Sequence, residues 1–248
     1  GQNLNWNVWA SSPYSFWTHE SQVETSADAA FKNVLSDVGC NYAGLDNNEA
    51  RLVSESLHGT FTKYGSRSGK PGLIDKESDS EGWNGLGITS ASRPSGWDSD
   101  NDGIPNWFEN AKGWNASSAN NNVYNTSTYY TNLEDYLNWM AEPHFIGDTD
   151  GDGITVAVNK TVALAGYYAG YTSPSYSIVS NSGSAQASIS NGELIVNAPA
   201  SMANKVFTIA VRASESGVSL TRNFNFYVGD APVVNPDPTP DPTTSMVT

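Results

Sequence analysis

The segment from Asp98 to Glu109 constrains this chain more than any other, because acidic residues recur at its alternate positions and a glycine follows them. Calcium takes about six to eight oxygen ligands from such a loop, with carboxylates at positions 1, 3 and 5, glycine at 6, a backbone carbonyl at 7 and a bidentate glutamate at 12. Positions 1, 3, 5, 6, 7, 9 and 12 are here Asp98, Asp100, Asp102, Gly103, Ile104, Asn106 and Glu109. The pattern predicts an EF-hand-like calcium loop with ligands from every one of these positions except the glycine. A solvated acidic turn is the alternative, but its carboxylates would repel one another without a cation.

A second acidic loop follows between residues 148 and 154. Its positions 1, 3, 5, 6 and 7 are Asp148, Asp150, Asp152, Gly153 and Ile154. Its twelfth position is Asn159, so the closing carboxylate must come from elsewhere, and Glu134, Asp135 and Glu142 are open candidates. We predict that this loop also binds calcium, through its three aspartates and the carbonyl of Ile154. Magnesium suits both loops less well, because it keeps several of its waters.

The charge balance limits the partners of the chain. Its 248 residues carry a net charge of −14, which argues against nucleic acid and anionic membrane surfaces because both would repel it. No run of about 20 apolar residues is present, so membrane insertion is not expected. Cys40 is the only cysteine, so no intrachain disulfide can form, and we expect a buried structural thiol.

Both ends of the chain are interpreted as cuts in a longer secreted polypeptide. The chain opens at Gly1 in mixed aromatic and polar sequence, and the proline-rich repeat from Pro232 to Pro242 is typical of an extended spacer between domains. A secreted chain without disulfides must gain rigidity elsewhere, and bound metal is one route. We therefore expect a secreted protein, either extracellular or at the cell surface.

Two short helices are predicted between residues 26 and 59. Ser26 is a suitable N-cap for the first, which Gly39 ends, and the second begins at Asp46, where Glu49 completes a capping box, and stops at Gly59. The apolar residues that recur at helical spacing in the first are Phe31, Val34, Leu35 and Val38.

Two segments near these helices leave alternatives open. Residues 59–72 are the most basic part of this acidic chain, with Lys63, Arg67 and Lys70, and form either a solvated loop or a grip for an anionic sugar. Residues 1–24 are rich in aromatic residues without a clear period. They are predicted to pack over another surface, with an exposed platform for sugar stacking as the alternative.

The pattern becomes all-β from Ile154 onward. The turn Asn191-Gly192 between alternating segments is the strongest short hairpin signal, and Ser216-Gly217 marks a second turn. Short alternating strands over residues 154–230 predict an immunoglobulin-like sandwich. The fold class is therefore mixed: an irregular, short-helical N-terminal segment with EF-hand-like calcium loops, then an all-β sandwich. The predicted divisions are a cap segment 1–96, a calcium-binding loop–helix segment 97–153 with helices after the loop and from Leu133 to Met140, a sandwich 154–230 and a linker 231–248.

Four motifs in a fixed order carry a family resemblance. Residues 24–58 contain Ala-Phe-Lys-Asn-Val-Leu and then Asp-Asn-Asn-Glu-Ala-Arg-Leu-Val, and Gly-Leu-Ile-Asp follows at 72–75. The acidic loop at 98–109 and Tyr-Thr-Asn-Leu-Glu-Asp-Tyr-Leu-Asn at 130–138 complete the series. Together they resemble the region that follows the parallel β-helix in secreted bacterial pectate lyases. The resemblance covers roughly residues 20–140.

The resemblance implies the C-terminal, calcium-binding and accessory portion of a polysaccharide lyase that acts by β-elimination. In that family an arginine and substrate-bridging calcium on the β-helix perform the chemistry, so no residue of this chain is predicted to be catalytic or to bind an organic cofactor. The implied partners are an upstream β-helical catalytic domain, from the same gene or a separate chain, and an acidic plant polysaccharide. The alternative is a non-enzymatic, calcium-stabilised adhesive, structural or glycan-binding module.

Overall fold

The structure is a computed structural model, and it describes residues 26–39, 47–80, 96–147 and 153–230. Several predictions therefore lie outside the described residues. These concern the aromatic segment 1–24, Cys40, the cap at Asp46, the loop aspartates Asp148, Asp150 and Asp152, and the linker 231–248.

Four α-helices occur in the described residues, and none of them is long and apolar enough to cross a bilayer. They are α1 (Ala27–Asp37), α2 (Asn47–His58), α3 (Asn106–Lys112) and α4 (Asn132–Ala141). Side chains cap two of these helices at their N-termini. Ser26, the predicted cap of α1, accepts a hydrogen bond from the N–H of Ala29, and Thr131 and Glu134 form a capping box at α4.

Nine strands, together with short 3-10 helices at Glu77–Asp79, Ala165–Tyr167 and Ala200–Met202, complete the secondary structure of the described residues. The strands are β1 (Tyr124–Asn125), β2 (Tyr130–Thr131), β3 (His144–Gly147), β4 (Asn159–Ala163), β5 (Ser175–Asn181), β6 (Gln186–Ser190), β7 (Glu193–Asn197), β8 (Val206–Glu215) and β9 (Val218–Asp230). Strands β1 and β2 form a small hairpin, and the others form sheets with the orders β3-β9-β8-β5 and β4-β7-β6.

Both predicted hairpins are present. Strands β6 and β7 are antiparallel around Asn191 and Gly192, whose φ angles of 52° and 79° are those of the turn that matches strand twist. Strands β8 and β9 are antiparallel over ten residue pairs, from Val206 opposite Tyr227 to Glu215 opposite Val218. The alternating apolar residues of this pair face the interior, so Ile209, Val211, Phe224 and Phe226 are fully buried, and Val218 and Leu220 near the turn are partly buried.

The two larger sheets share one apolar core, which makes the C-terminal region a β-sandwich. Side chains from both sheets contribute to it, and Phe145 and Phe207 stack on Phe226 at ring-centroid distances of 5.1 Å. The mixed helix-and-strand composition that the sequence predicts is therefore confirmed.

The sandwich extends into the predicted loop–helix segment. Strand β3, which precedes the second acidic loop, pairs in parallel with β9 as the edge strand of the larger sheet. Tyr227 of β9 also belongs to a second buried cluster with Trp107, Phe108 and Trp139 of α3 and α4. The two helices that follow the first acidic loop, α3 and α4, are therefore packed against the sandwich.

Helix α1 packs against the sandwich through its polar side. Asn33 and Ser36 are buried, the hydroxyl of Tyr171 donates to Asn33 Oδ1 at 2.6 Å, and the N–H of Gly170 donates to Ser36 Oγ at 3.0 Å. The buried guanidinium of Arg222 in β9 donates to the carbonyls of Ser36 and Tyr167. These bonds position α1 because buried polar groups require partners.

The apolar residues that predicted α1 mostly lie on its exposed side. Phe31, Val34 and Val38 are exposed, whereas Leu35 and Ala29 are buried. The helical spacing of apolar residues determines that α1 forms. The surface that α1 contacts, however, is a loop rich in backbone donors and acceptors. The polar side of the helix therefore makes the contact.

Acidification is expected to weaken this attachment through Glu215. The carboxylate contacts Lys32 Nζ at 2.5 Å and accepts from the N–H groups of Thr172 and Ser173. The hydrogen bond from Lys32, followed by that from Ser173, lowers the pKa of Glu215 from 4.5 to about 2. Its stabilisation is therefore fully present above about pH 4.5 and is lost as the pH falls through about 2.

Urea unfolding of the wild type and of Glu215→Gln at about pH 5 and about pH 3 tests this dependence. The free energy of unfolding should fall more for the wild type than for the variant between the two conditions. Equal losses in both proteins would show that Glu215 does not couple this contact to pH.

Candidate metal centre

Three carboxylates converge in the loop before α3. Asp98, Asp100 and Asp102 each offer a carboxylate oxygen, and these three oxygens lie within 4.8 Å of one another. Asp102 is buried, and the other two are half-buried. Among the residues that the structure describes, this is the only such group of His, Cys, Asp or Glu side chains, and it could hold a metal ion.

Hydrogen bonds within the loop set this convergence. The N–H of Gly103 donates to Asp98 Oδ2 at 2.9 Å, and the N–H of Ile104 donates to Asp102 Oδ1 at 2.9 Å. The N–H of Asp102 donates to oxygens of Asp98 and Asp100, at 3.3 Å in each case. Gly103 has a φ of 95°, which side-chain-bearing residues rarely adopt, so the tight turn predicted at position 6 is present.

Glu109 is fully buried at the edge of this cluster. It lies in α3, which begins at Asn106 and therefore carries position 12 of the loop back toward the aspartates. Its Oε1 accepts from Asn120 Nδ2 at 2.5 Å, whereas its Oε2 has no hydrogen-bond partner. Asp100 Oδ2 is likewise buried without a partner. Two unpaired carboxylate oxygens in a buried acidic site are costly unless a cation neutralises them.

Burial and mutual repulsion raise the pKa values of the same two groups. For Asp100 burial acts first and the charge of Asp102 second. For Glu109 burial again acts first, and the charges of Asp100 and Asp102 add to it against the hydrogen bond from Asn120. The site therefore disfavours its own negative charge, which is the electrostatic condition that a bound cation relieves.

Asn120 joins the aspartate cluster to Glu109, a role that was not predicted from the sequence. Its N–H donates to Asp102 Oδ2 at 2.8 Å while its side chain donates to Glu109. The N–H of Asn121 donates to the same Asp102 oxygen at 2.9 Å, and Asn132 Nδ2 donates to Asn120 Oδ1 at 2.7 Å. The run of asparagines at 120–122 was the available signal, but its contact with the loop depends on the tertiary fold.

The remaining predicted ligands of the first loop have other roles in the structure. The side chain of Asn106 accepts from the N–H of Ser99 and donates to Ser99 Oγ and the carbonyl of Gly96. Ile104 is fully buried among the aromatic residues of α3 and α4, and its carbonyl remains the predicted ligand. Ligation by Asn106 and by Ile104 stays a prediction.

Only Gly153 and Ile154 of the second acidic loop lie within the described residues. Ile154 is buried in the sandwich core, and its carbonyl accepts from the N–H of Gly229 at 3.1 Å. Glu134 is engaged in the cap of α4, and Asp135 Oδ2 accepts from the Asn125 and Thr128 side chains. Burial raises the pKa of Glu142 against the charge of Arg222. Ligation by Ile154 and by one of these three carboxylates stays a prediction.

The donor set of the first site fits a hard divalent cation. Asp98, Asp100, Asp102 and Glu109 would supply carboxylate oxygens, which calcium and magnesium both prefer. The buried, unpaired Oε2 of Glu109 is the observation that favours this fit, because a fully satisfied acidic turn would leave no such atom.

Comparisons of the chain with protein-family models, curated proteins and solved structures give no match. The resemblance to pectate lyases therefore stays a prediction that rests on the four sequence motifs. Functional inference depends on the geometry of the site itself.

Replacing Asn120 should lower the metal affinity of the site although Asn120 is not a ligand. Removing a partner that orients a ligand typically costs about 10–100-fold in affinity. Asn120→Ala would remove the hydrogen-bond donor to Glu109 Oε1 and the acceptor of the Asn132 side chain. Calorimetric calcium titration of Asn120→Ala should give this loss. Gln186→Ala, which removes an exposed amide from β6 in the other sheet, should leave the affinity unchanged. An equal affinity of Asn120→Ala and the wild type would contradict the role.

Proposed function

We propose that Asp98, Asp100, Asp102 and Glu109 bind one calcium ion that stabilises an extracellular module. The observation that carries the proposal is the buried, unpaired carboxylate oxygen of Glu109 beside three converging aspartates. Calcium is preferred to magnesium because a loop with this many protein oxygens suits a large ion that gives up most of its waters. The short helix α3, which begins within the loop, is compatible with an EF-hand-like arrangement.

The proposed ion would act as a structural joint. Glu109 belongs to α3, whose Trp107 packs on Tyr227 of β9 at a ring-centroid distance of 4.8 Å. Asn120 extends the same network to the segment that leads into α4. Calcium at this position would hold together the loop, both helices and the edge of the sandwich.

We further propose that the chain is the accessory portion of a secreted pectate-lyase-like polysaccharide lyase, with an immunoglobulin-like sandwich and catalytic residues on an upstream β-helix. The ordered motifs support this assignment, and sheets of four and three strands around one core are compatible with that sandwich type. In this role the calcium at 98–109 is structural, because the resemblance assigns the catalytic arginine and the substrate-bridging calcium to the β-helix.

Two assays test the two parts of the proposal. Thermal melts in calcium and in chelator should differ, because a ligand specific to the folded state must stabilise it. With polygalacturonate and calcium, this chain should release no unsaturated uronate, whereas the gene product with the preceding segment should release it. Activity of this chain alone would overturn the upstream assignment, and inactivity of both would favour the alternative of a non-enzymatic glycan-binding module.

A further inference from the structure

The outer edge of β6 differs from the other three edges of the two larger sheets. Among the described strands, β3 and β5 are the edges of one sheet, and β4 and β6 are the edges of the other. An edge strand presents unpaired N–H and C=O groups to other strands, and proteins usually prevent such pairing with very short strands, charged side chains, prolines or bulges. An edge that lacks all of these features is a potential binding surface.

Three of the four edges carry a protective feature. Strand β3 has only four residues, and its register shifts between Phe145 and Gly147. Strand β4 contains Lys160, and β5 has a register shift between Ile178 and Ser180. Strand β6 has five residues, no charged side chain and no proline, and it pairs with β7 without a register shift. Of the described edges, β6 is therefore the one that is open to a further strand.

The turn between β6 and β7 determines which backbone groups of β6 point outward. In a two-residue hairpin such as this one, the residues that flank the turn, Ser190 and Glu193, exchange both of their backbone hydrogen bonds. Hydrogen-bonded and non-hydrogen-bonded pairs alternate along an antiparallel ladder, so Ser188 also bonds to β7. The N–H and C=O groups of Ala187 and Ile189, which alternate with these residues, therefore point away from β7.

A side-chain hydrogen bond marks the other end of this outer edge. By the same alternation the carbonyl of Ala185 points outward, and it accepts from Asn181 Nδ2 at 2.8 Å. Between this bond and the turn, the outer edge consists of the backbone groups of Ala187 and Ile189. These groups are sufficient for two hydrogen-bonded residue pairs with another strand.

The side chains of β6 are small or uncharged. Gln186, Ser188 and Ser190 are exposed on the solvent-facing side of the sheet, whereas Ala187 and Ile189 are partly buried against the core of the sandwich. A strand that pairs with this edge therefore meets polar side chains on one side of the sheet and apolar side chains on the other.

The charge of the chain favours contact between neutral segments. A net charge of −14 makes two copies of the chain repel each other wherever their charged surfaces approach. Residues 161–192 contain no Asp, Glu, Lys or Arg, and this stretch includes β5, β6 and the turn that follows β6. Two copies that meet along β6 therefore bring neutral segments together.

We propose that β6 pairs antiparallel with β6 of a second copy of this chain. Centring the pairing on Ser188 places Ala187 opposite Ile189 of the second copy, and each of the two such pairs exchanges two hydrogen bonds. All outward N–H and C=O groups of Ala187 and Ile189 thereby gain partners. The two three-stranded sheets join into one six-stranded sheet about a two-fold axis, which is a closed arrangement.

The side chains of the two strands match in this register. Ser188 lies opposite Ser188 of the second copy in a non-hydrogen-bonded pair, where side chains are closest, and two serines fit there without charge repulsion. On the core side of the sheet, Ala187 and Ile189 of the two copies cover each other and extend the apolar core. A strand of an unrelated protein is the other occupant that such an edge could take. The match of the edge to itself in length, polarity and charge favours the second copy.

Sedimentation equilibrium over a wide range of protein concentration tests the pairing. Standard interfaces bury about 1,200–2,000 Å², and smaller ones are weak, so we expect a dissociation constant of roughly 0.1–1 mM for this single ladder. The mean mass should therefore rise from that of one chain, 26.5 kDa, toward twice that value as the concentration approaches about 2 mM.

Ser188→Lys should weaken the association by about tenfold or more, because it places two like charges opposite each other across the two-fold axis. The substitution makes the net charge of each copy less negative, so general repulsion between the copies predicts the opposite result. The matched control is Ser219→Lys, which makes the same change at an exposed position of β9 in the other sheet and should keep the association within about twofold. Equal association of the two variants would overturn the proposal.

Amide hydrogen exchange of the wild type locates the interface without any substitution. The N–H groups of Ala187 and Ile189 should exchange more slowly at about 2 mM than at about 20 μM protein, whereas that of Ser188, which already bonds to β7, should change less. A monomer at every concentration would overturn the pairing and leave a strand of another protein as the occupant of the edge. A dimer in which the two amides exchange at unchanged rates, or growth in mass beyond a dimer, would overturn it as well.

Discussion

Glu109→Gln should remove the part of the calcium-induced rise in melting temperature that the 98–109 site supplies, while leaving the calcium-free protein at least as stable as the wild type. The expected rise in the wild type is roughly 5–10 °C at about 100 times the dissociation constant, where binding contributes about 2.7 kcal/mol. In the calcium-free state Gln removes a buried negative charge whose pKa is raised by burial and by the neighbouring aspartates. The two effects therefore have opposite signs.

Differential scanning calorimetry in calcium and in chelator measures both signs. Glu193→Gln is the matched control, because it makes the same substitution at an exposed position of β7 and should retain the full calcium response. A Glu109→Gln protein that kept the full wild-type gain in stability from calcium would exclude Glu109 as a ligand. A variant that lost stability without calcium would indicate that the carboxylate has a partner in the metal-free fold besides Asn120.

Gly170→Ala should separate α1 from the sandwich. A Cβ at this position would lie 2.0 Å from the carbonyl oxygen of Lys32 and 2.7 Å from its carbonyl carbon, and backbone atoms cannot rotate away as a side chain does. The shift would also break the bond from the Gly170 N–H to Ser36 Oγ. We expect a loss of about 2 kcal/mol or more, together with faster amide exchange across α1.

Gly166→Ala is the control for that experiment. It lies in the same loop, and a Cβ there would meet no atom within 4 Å. Its melting temperature and the exchange of α1 should therefore remain near wild-type values. Equal behaviour of the two variants would show that α1 does not pack on Gly170 in solution.

Local sequence predicted those elements whose causes are local. The cap at Ser26, the turns at Asn191-Gly192 and Ser216-Gly217, and the alternation along β8 and β9 depend on nearby residues, and all are present. The convergence of the three aspartates also depends on nearby residues, because the side chains of alternate residues around a glycine turn point toward one another. Elements of this kind can be inferred from one chain.

Contacts between distant segments could not be inferred in this way. The spacing of apolar residues in α1 predicted its helix, but its polar side makes the contact because its partners, Gly170 and Arg222, lie more than a hundred residues away in the chain. The parallel pairing of β3 with β9 likewise joins strands that the sequence pattern assigned to different segments. Such choices depend on which polar groups need partners once the sheets have formed.

The acidic loop of residues 98–109 combines features that depend on nearby residues with features that depend on the tertiary structure. The sequence by itself determined the spacing of Asp98, Asp100, Asp102 and Glu109, and hence the chemistry of a cation site, because that spacing is a property of one short turn and its helix. The tertiary structure decided that Glu109 is buried with an unpaired oxygen and that Asn120 orients it. Burial is set by everything that packs around a residue, and here the aromatic cluster between α3, α4 and β9 removes the site from water.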